Sequence, residues 1–447
     1  MATFPEKGRD KADILAALDE LSHADGNWRE GRTWSLVYYA GEEVTALTEA
    51  AYTRFFHANA LNPTVFKSLR QLEVETLGFA ADLLHGDGDT VGSLTSGGSE
   101  SILMAVKTYR DEARALKPHI TEPEMVLPVS AHASFEKAAH YFGVKPVHIL
   151  LTGDYRADVA AAERAITPNT ILIVGSAPAY PQGVVDPITE LGRLALKHGL
   201  RFHVDACLGG FILPFVRQLG YPVPDFDFSV PGVTSISADL HKYGYAAKGV
   251  SALLYKNGNI RRYQYFAYAD WPGGLFVSPS ATGTRPGGAI AAAWAVLQYL
   301  GTEGYLRLAE TTMNITQKLL DGIRAIPELY ILGQPTASVF ALGSDVLNVH
   351  ALADRLEEKG WVIDQQVGPS CLHFMVTPAH EAAAEPFLSD LKQAVGELKQ
   401  SPPDPRTGSA ALYGLKGQAP DAHVKEYLIE TLSTLMRPDK EETDDEL

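Results

Sequence analysis

The chain has 447 residues, which predicts one large domain with one or two smaller ones. Its formal net charge of −16 argues against nucleic acids and anionic membrane surfaces as partners, because both attract basic patches. The two cysteines, Cys207 and Cys371, fit neither a disulfide framework nor a metal-ligand pattern. We therefore expect no metal site and buried free thiols in a reducing compartment, the cytoplasm.

Residues 1–60 form a predicted helical arm. Helical spacing of apolar residues runs through ILAALDEL and VTALTEAAYTRFF, and an aromatic-rich loop lies between them at 28–41. An arm of this kind in a large enzyme often swaps onto a partner subunit. We expect no signal peptide and no transmembrane segment, because the chain begins without a basic start and apolar core and has no run of 18 apolar residues.

Residues 61–300 form the predicted large α/β domain. Amphipathic helices separate short apolar runs, which predicts a mostly parallel sheet covered on both faces. The runs lie at 125–130, 147–152, 171–176, 201–206, 234–239 and 251–255. Ligands of such sheets bind beyond the carboxyl ends of the strands.

Residues 301–436 form a predicted smaller α+β domain. Its helices are expected at 308–324, 345–360 and 383–399, and its strands near ASVFAL and CLHFMVT. The final helix, VKEYLIETLSTL, is expected to pack back on the body of the protein. Residues 437–447 are acidic and predict a disordered tail.

Two strand ends carry the strongest chemical signal. In SADLHKYGYAAKG, at 237–249, the pair His241 and Lys242 follows a short apolar strand, and upstream the strand FHVDA ends in Asp205. A lysine and a carboxylate in these positions suit pyridoxal 5′-phosphate. The lysine forms a Schiff base with the aldehyde, and the carboxylate keeps the pyridine nitrogen protonated.

Further residues complete the predicted cofactor site. In TSGGSES, Ser96, Gly97 and Gly98 open a helix whose amino end suits a phosphate, while Glu100 is expected to cap the first turn. His132 follows a strand, where an aromatic ring that stacks on the pyridine is expected. His241 is expected to contact the phosphate or the strand backbone.

Other polar residues leave two interpretations open. His203 either supports the cofactor ring or is a core histidine. Lys248 is either a solvated loop charge or a second cation for a substrate phosphate or carboxylate. Thr284 and Arg285 lie in the small-residue loop SATGTRPGG, which suits a close approach to a phosphate, including one in a neighbouring subunit.

The motifs together resemble the sphingosine-1-phosphate lyase family, within the group II decarboxylase-like enzymes of fold type I. The resemblance rests on TSGGSESILMAVKTYRD, SAHASFEKAAHYFGVK, APAYPQGVVDPI, HVDACLGGF, SISADLHKYGYAAKG and ADWPGGLFVSPSATGTRPGG. It implies a soluble, bacterial-type enzyme with a seven-stranded, mostly parallel sheet, a pyridoxal phosphate cofactor and a homodimer with shared active sites.

The resemblance also implies a role for individual residues. Lys242 would be the internal aldimine, Asp205 the ring-nitrogen partner and His132 the stacking residue. The cofactor would also be held by Ser96, Gly97, Gly98, Ser237, His241 and Thr284, with Thr284 reaching across the dimer. The substrate would contact Tyr38, Asn62, Tyr180 and Lys248, of which Tyr38 and Lys248 also count as catalytic.

The implied reaction is retro-aldol cleavage of the Cα–Cβ bond of sphingosine 1-phosphate or a related phosphorylated long-chain base. The products would be a fatty aldehyde and phosphoethanolamine. Asn62 stands where the family has a histidine, and a neutral amide cannot give the charge-assisted bond of an imidazolium. Three alternatives therefore stay open: an amino acid decarboxylase, retro-aldol cleavage of an unphosphorylated β-hydroxy amino acid, and a catalytically silent cofactor-binding protein.

Overall fold

A computed structural model describes residues 4–23, 25–401, 408–414 and 421–436. The predicted tail at 437–447 lies outside these ranges. No helix within them combines the length and the apolar character that a membrane span requires.

The centre of the molecule is a seven-stranded sheet, which confirms the predicted fold class. Its spatial order is β1-β7-β6-β5-β4-β2-β3, and β7 alone runs antiparallel to its neighbours. The strands are β1 (Val91–Thr95), β2 (Glu124–Pro128), β3 (Lys145–Ile149), β4 (Thr170–Ser176), β5 (Arg201–Asp205), β6 (Ser235–Ala238) and β7 (Ser251–Tyr255). Because β7 is antiparallel, the loop that leads into it reaches the edge at which β1, β5 and β6 end.

Helices cover both faces of this sheet and bury two apolar clusters against it. They are α3 (Lys67–Leu83), α4 (Gly98–Leu116), α5 (Ser134–Phe142), α6 (Val159–Ala165), α7 (Ile188–His198), α8 (Leu213–Gln218) and α9 (Gly258–Arg261). Every residue of β4 is buried, because helices lie on both of its faces. This burial explains why the run TILIVGS is apolar without alternation.

Strand β1 is the one strand of the large sheet that the apolar runs did not reveal. It reads VGSLT, in which glycine and serine replace the aliphatic residues of the other strands. A Cβ at Gly92 would lie 2.7 Å from the Leu253 carbonyl oxygen and from Leu254 Cδ2. Close packing, rather than hydrophobicity, therefore determines the sequence of this strand.

A hairpin and a long helix follow the large sheet. The hairpin consists of β8 (Phe266–Tyr268) and β9 (Phe276–Ser278), with a 3₁₀ turn at Arg262–Gln264 before it. Helix α10 (Gly287–Arg324) breaks at Gly301, whose φ is 50°. The predicted boundary between the large and small domains, at 300/301, falls at this break, and the division into domains stays a prediction.

The C-terminal region is built on a four-stranded antiparallel sheet of order β10-β11-β13-β12. Its strands are β10 (Tyr330–Ile331), β11 (Val339–Gly343), β12 (Asp364–Gln366) and β13 (Cys371–Met375). Its helices are α11 (Val349–Glu357), α12 (Ala384–Gln400), α13 (Gly408–Gly414) and α14 (Asp421–Leu435), with a 3₁₀ turn at Pro378–His380. This sheet has its own apolar cluster.

The N-terminal segment contains α1 (Lys11–Ser22) and α2 (Glu42–Arg54), and between them it joins the small sheet. Trp34 is fully buried in the C-terminal cluster and stacks on His380 with ring centroids 4.3 Å apart. Its backbone N–H donates to the Val362 carbonyl, and its carbonyl accepts from the Met375 N–H. Part of the predicted arm therefore belongs structurally to the C-terminal core.

The prediction that the final helix packs back on the body is wrong. In α14 the side chains of Leu428, Ile429 and Leu432 are about 60% exposed. Helical periodicity indicates which face of a helix is apolar, but it carries no information on what covers that face.

Candidate active site

A cavity of about 320 Å³ opens at the edge where β1, β5 and β6 end. Eight of the predicted site residues line it: Ser96, Gly97, Gly98, His132, Tyr180, Asp205, His241 and Lys242. A larger hollow of about 600 Å³ lies at the opposite end of the sheet, beside Tyr109 and Arg201. That hollow contains none of the predicted groups, so the chemistry belongs to the smaller cavity.

Lys242 and Asp239 form a buried ion pair in this cavity. The Lys242 Nζ lies 3.1 Å from Asp239 Oδ2, and the Asp239 side chain is 1% exposed. Burial opposes the charged ammonium, but the charge of Asp239 raises the pKa of Lys242 above its ordinary value. Burial likewise opposes ionisation of Asp239, but the charge of Lys242 lowers the pKa of that carboxyl well below its usual range.

Asp205 is held by a chain of hydrogen bonds beneath the cavity. Its Oδ1 accepts from the Cys207 N–H at 3.0 Å and from the Ser237 hydroxyl at 3.2 Å. The His203 Nε2 lies 3.3 Å from the Ser237 oxygen, and its Nδ1 lies 2.7 Å from the Ser235 hydroxyl. Burial lowers the pKa of His203 to about 4, so His203 is a neutral core histidine that supports the carboxylate from below.

Two glycines leave room for a ligand phosphate at the amino end of α4. A Cβ at Gly98 would lie 2.7 Å from Asp239 Oδ2, and a Cβ at Gly97 would lie 3.0 Å from His241 Cε1. The His241 Nδ1 accepts from the Val250 N–H at 3.2 Å, so in the neutral ring the hydrogen lies on Nε2. Side-chain-free backbone and an imidazole donor suit a phosphate.

Glu100 connects this turn to the loop before α10. Its Oε2 accepts from the Ser96 N–H at 2.6 Å, and its Oε1 accepts from the Ala281 N–H at 2.7 Å. Glu100 is therefore a cap of the first turn, as expected, and is not free to bind a ligand.

His132 and Tyr180 form another part of the cavity wall. The His132 Nδ1 accepts from the Ser134 N–H at 3.1 Å, and its ring meets the Tyr180 ring edge-on at 6.2 Å. The Tyr180 hydroxyl donates to Asp364 Oδ2 at 2.8 Å. The C-terminal region thus contributes a carboxylate that holds this wall from outside the cavity.

Tyr38 and Lys248 lie beside the cavity rather than in its lining. The Lys248 Nζ donates to the Leu36 carbonyl at 2.6 Å and lies 5.0 Å from the centroid of the Tyr38 ring. Partial burial and the charge of Lys242 lower the pKa of Lys248 to about 8. Burial and the charge of Asp239 raise the pKa of Tyr38. The Lys248 Nζ also donates to the His241 carbonyl at 3.3 Å, which places the pair close to the central ion pair.

Within one chain, Thr284 and Asn62 do not reach the cavity. The Thr284 hydroxyl accepts from Asn59 Nδ2 at 3.2 Å and lines a separate cavity of about 100 Å³. The Asn62 Oδ1 accepts from the N–H and the hydroxyl of Thr64, so the side chain caps a local turn.

Arg285 has a structural position. Its guanidinium pairs with Glu73, with an NH2–Oε2 distance of 3.1 Å, and it donates to the carbonyls of Leu94 and Ala60. The residue is buried, and these contacts engage both of its terminal nitrogens.

Sequence reasoning missed Asp239 and Asp364. Asp239 directly follows an apolar strand and stands three residues before Lys242, so its position was a usable signal. Asp364 gave no signal, because its partner Tyr180 is 184 residues away in the chain. Among the residues that the structure describes, no group of His, Cys, Asp or Glu is arranged to hold a metal ion.

The donor set and the shape of the cavity fit pyridoxal phosphate. A lysine amine and a carboxylate lie at neighbouring strand ends, a histidine ring forms one wall, and side-chain-free backbone lies at a helix amino end. These are the groups that the aldehyde, the ring nitrogen, the ring face and the phosphate of this cofactor require.

Comparisons with known proteins agree with this chemistry. Residues 44–340 match the family described as "Pyridoxal-dependent decarboxylase conserved domain". A sphingosine-1-phosphate lyase of Oryza sativa subsp. japonica is 46% identical over 426 residues, which cover 93% of this chain and 79% of that protein. Sphingosine-1-phosphate lyase 1 of Rattus norvegicus is 44% identical, over 92% of this chain and 73% of the relative.

A solved structure gives the same result. The sphingosine-1-phosphate lyase Bpss2021 of Burkholderia pseudomallei K96243 superposes with a TM-score of 0.89 at 36% identity. The match covers 98% of each chain.

The ion pair yields a first prediction. In the cofactor-free protein, Asp239→Asn is expected to lower the pKa of Lys242, because the amide removes the negative charge that favours the ammonium. The measurement is the pH dependence of labelling of Lys242 by an amine-reactive reagent, followed by peptide mass spectrometry. The half-maximal pH should move down.

The control for this prediction is Asp205→Asn. Asp205 affects Lys242 less than Asp239 does and makes no ion pair with it, so its variant should shift the labelling curve less. Equal curves for the wild-type protein and Asp239→Asn would contradict the assignment of the ion pair.

Proposed function

The chain belongs to the sphingosine-1-phosphate lyases of the pyridoxal-dependent decarboxylase family and is a pyridoxal-phosphate-dependent lyase, and from this premise we propose that its substrate is sphingosine 1-phosphate or a related phosphorylated long-chain base. The products would be a fatty aldehyde and phosphoethanolamine. The observation that carries the proposal is the second lysine, Lys248, which lies with Tyr38 beside the Lys242 cavity. A cation beside the cofactor site suits a substrate that carries its own phosphate.

Lys242, Asp205 and His132 are proposed to hold the cofactor. Pyridoxal phosphate supplies an electron sink when bound. Lys242 would form the Schiff base, and Asp205 would keep the proton on the ring nitrogen because the bonds from Cys207 and Ser237 fix its orientation. The His132 ring would stack on the cofactor.

The amino end of α4 is proposed to bind the cofactor phosphate. Gly97 and Gly98 offer backbone N–H groups there, and His241 offers the hydrogen on Nε2. Ser96 would contribute its hydroxyl, because its N–H already donates to Glu100. Ser237 would act indirectly, through its bond to Asp205.

Tyr38 and Lys248 are proposed to bind the phosphate of the substrate. Lys248 supplies the charge, and its hydrogen bond to the Leu36 carbonyl connects it to the N-terminal segment. Asn62 cannot supply a second charge, and its oxygen already caps a turn. Lys248 would therefore provide the main electrostatic attraction for this phosphate.

A homodimer with shared active sites is proposed for two reasons. Thr284 lies outside the cavity of its own chain, so it would complete the cofactor site of a partner. The hairpin on the same loop exposes Trp271, Leu275 and Val277 by 52%, 87% and 61%. Exposed apolar side chains that are grouped in this way are typical of interaction surfaces.

A reducing compartment, the cytoplasm, is proposed from the thiols. Cys207 and Cys371 are both buried and free. Burial raises the pKa of Cys371 to about 12, so that thiol stays neutral and unreactive at physiological pH.

A product assay tests the proposed function. Protein loaded with pyridoxal phosphate is expected to release long-chain aldehyde and phosphoethanolamine from sphingosine 1-phosphate, and Lys242→Ala should abolish both products. Sphingosine without its phosphate is the matched control and should react far more slowly. Carbon dioxide from amino acids, with no aldehyde from the phosphorylated base, would replace the proposal with a decarboxylase. A small aldehyde from a β-hydroxy amino acid alone would replace it with an unphosphorylated substrate.

The pKa of Lys248 predicts a pH dependence. The pKa is lowered to about 8, so the ammonium loses its proton as the pH rises through that value, and the attraction for the substrate phosphate falls. The kcat/KM for the phosphorylated base should therefore decline above about pH 8, because kcat/KM reports groups of the free enzyme.

Lys248→Arg is the matched variant for the pH profile. The guanidinium keeps its charge, so the decline should move to higher pH. An alkaline limb that is unchanged in Lys248→Arg would remove Lys248 from phosphate binding.

A further inference from the structure

Asp364 lies in the four-stranded sheet of the C-terminal region but contacts the wall of the active site. It is the first residue of β12 and does not line the cavity itself. Its Oδ2 accepts the hydrogen of the Tyr180 hydroxyl at 2.8 Å, and Tyr180 does line the cavity. The phenol oxygen therefore lies between the cavity that holds Lys242 and a carboxylate outside it.

Neighbouring rings fix Tyr180 in this position. The His373 ring packs against it with centroids 4.1 Å apart, and His132 meets it edge-on. The His373 Nδ1 lies 3.3 Å from the Pro181 carbonyl, so the same histidine also holds the backbone next to Tyr180. The geometry of the Tyr180–Asp364 bond is thus set by packing on two sides.

Tyr180 cannot act alone as a base. Burial and the charge of Asp364 raise the pKa of Tyr180, so the phenol keeps its hydrogen, and that hydrogen points to Asp364. The oxygen still has lone pairs with which to accept a hydrogen bond from a ligand in the cavity. A phenol bound in this way passes a proton on when its partner can accept one.

Four titratable side chains face Asp364. They are Tyr180, Tyr38 of the N-terminal segment, His373 on β13 and Tyr413 on α13. Burial lowers the pKa of His373 to about 4, so that ring is neutral. Within the described ranges no lysine or arginine forms an ion pair with Asp364, and the residue is half-buried, so water can reach its carboxylate.

We propose that Tyr180 and Asp364 form the proton relay of the bond cleavage, with Tyr180 as the catalytic residue and Asp364 as a positioning residue and terminal proton acceptor. This inference rests on the proposed function and names the base for that same site. The β-hydroxyl of the substrate donates to the Tyr180 oxygen. As the Cα–Cβ bond breaks, the hydroxyl oxygen becomes the aldehyde carbonyl and its proton passes to Tyr180.

The remaining atoms and electrons balance without another reactant. The Tyr180 proton passes to Asp364 Oδ2 in the same step, so Tyr180 is unchanged and Asp364 becomes neutral. The electron pair of the broken bond would enter the electron sink that the family cofactor supplies and then return to Cα, which takes up a proton from water to give phosphoethanolamine. Asp364 then returns the proton to water.

The test compares Asp364→Asn, Tyr180→Phe and the double variant in the cofactor-loaded protein with sphingosine 1-phosphate. Asn keeps the size of the side chain and still accepts the Tyr180 hydrogen bond through its amide oxygen, but it cannot take the proton. Each single variant is expected to lose about 100-fold or more in kcat, with KM nearly unchanged. The double variant should lose no more than either single one, because the two residues act as a unit.

Three controls separate this proposal from loss of structure and from failure of the proposed function. Asp390→Asn is the matched variant, because Asp390, like Asp364, accepts a hydrogen bond from an aromatic side chain. Its donor is the Trp361 indole N–H at 2.9 Å, far from the cavity. The kcat of Asp390→Asn should equal the wild-type value. Asp364→Glu should recover part of the lost kcat. The change in cofactor absorbance on addition of substrate should persist in all variants.

Two results would overturn the relay while wild-type turnover still supports the proposed function. One is a wild-type kcat for Asp364→Asn. The other is a double variant whose loss equals the product of the single losses, which would make the two residues independent. Absence of aldehyde from the wild-type protein would instead contradict the proposed function itself.

Discussion

The ammonium of Lys242 lies inside the protein beside the Asp239 carboxylate, and much of the surrounding structure keeps this charge pair in place. Buried charges are tolerated only when they are paired and hydrogen-bonded, so the strand ends must bring the two groups together. The pair lies so close to the amino end of α4 that Gly98 has no room for a Cβ. Asp205, held from below by Ser237 and the neutral His203, adds a second carboxylate near the same lysine. Because strand β7 is antiparallel, Val250 directly before it lies at the same edge, where its N–H donates to His241 Nδ1.

The C-terminal region and the N-terminal segment both reach the residues around the cavity. Trp34 ties the N-terminal segment into the small core, and the segment that follows places Leu36 and Tyr38 against Lys248. From the other side, Asp364 holds the hydroxyl of Tyr180. The proposed substrate side of the cavity is therefore assembled from three distant parts of the chain, whereas the proposed cofactor side comes from the strand ends of one sheet. This division explains how members of one fold family share a cofactor and differ in substrate.

The cofactor side could be predicted from the sequence because each of its residues follows a recognisable strand. Parallel strands end at one edge, so Gly97, Asp205 and Lys242 had to meet. Strand β1 escaped prediction by apolar pattern, because packing selects glycine and serine there. Asp364 could not be predicted, since no local pattern reports a hydrogen bond between residues 184 positions apart. The final helix α14 was placed wrongly, because periodicity does not identify the surface that covers an apolar face.

The central claim is that Lys242 carries the cofactor in the cavity at the strand ends. The most direct measurement is borohydride reduction of the protein loaded with pyridoxal phosphate, followed by peptide mass spectrometry. The account predicts one pyridoxyl group per chain, on Lys242, and none in Lys242→Ala. A label on Lys248, or a label spread over several lysines with Lys242 unmodified, would contradict it.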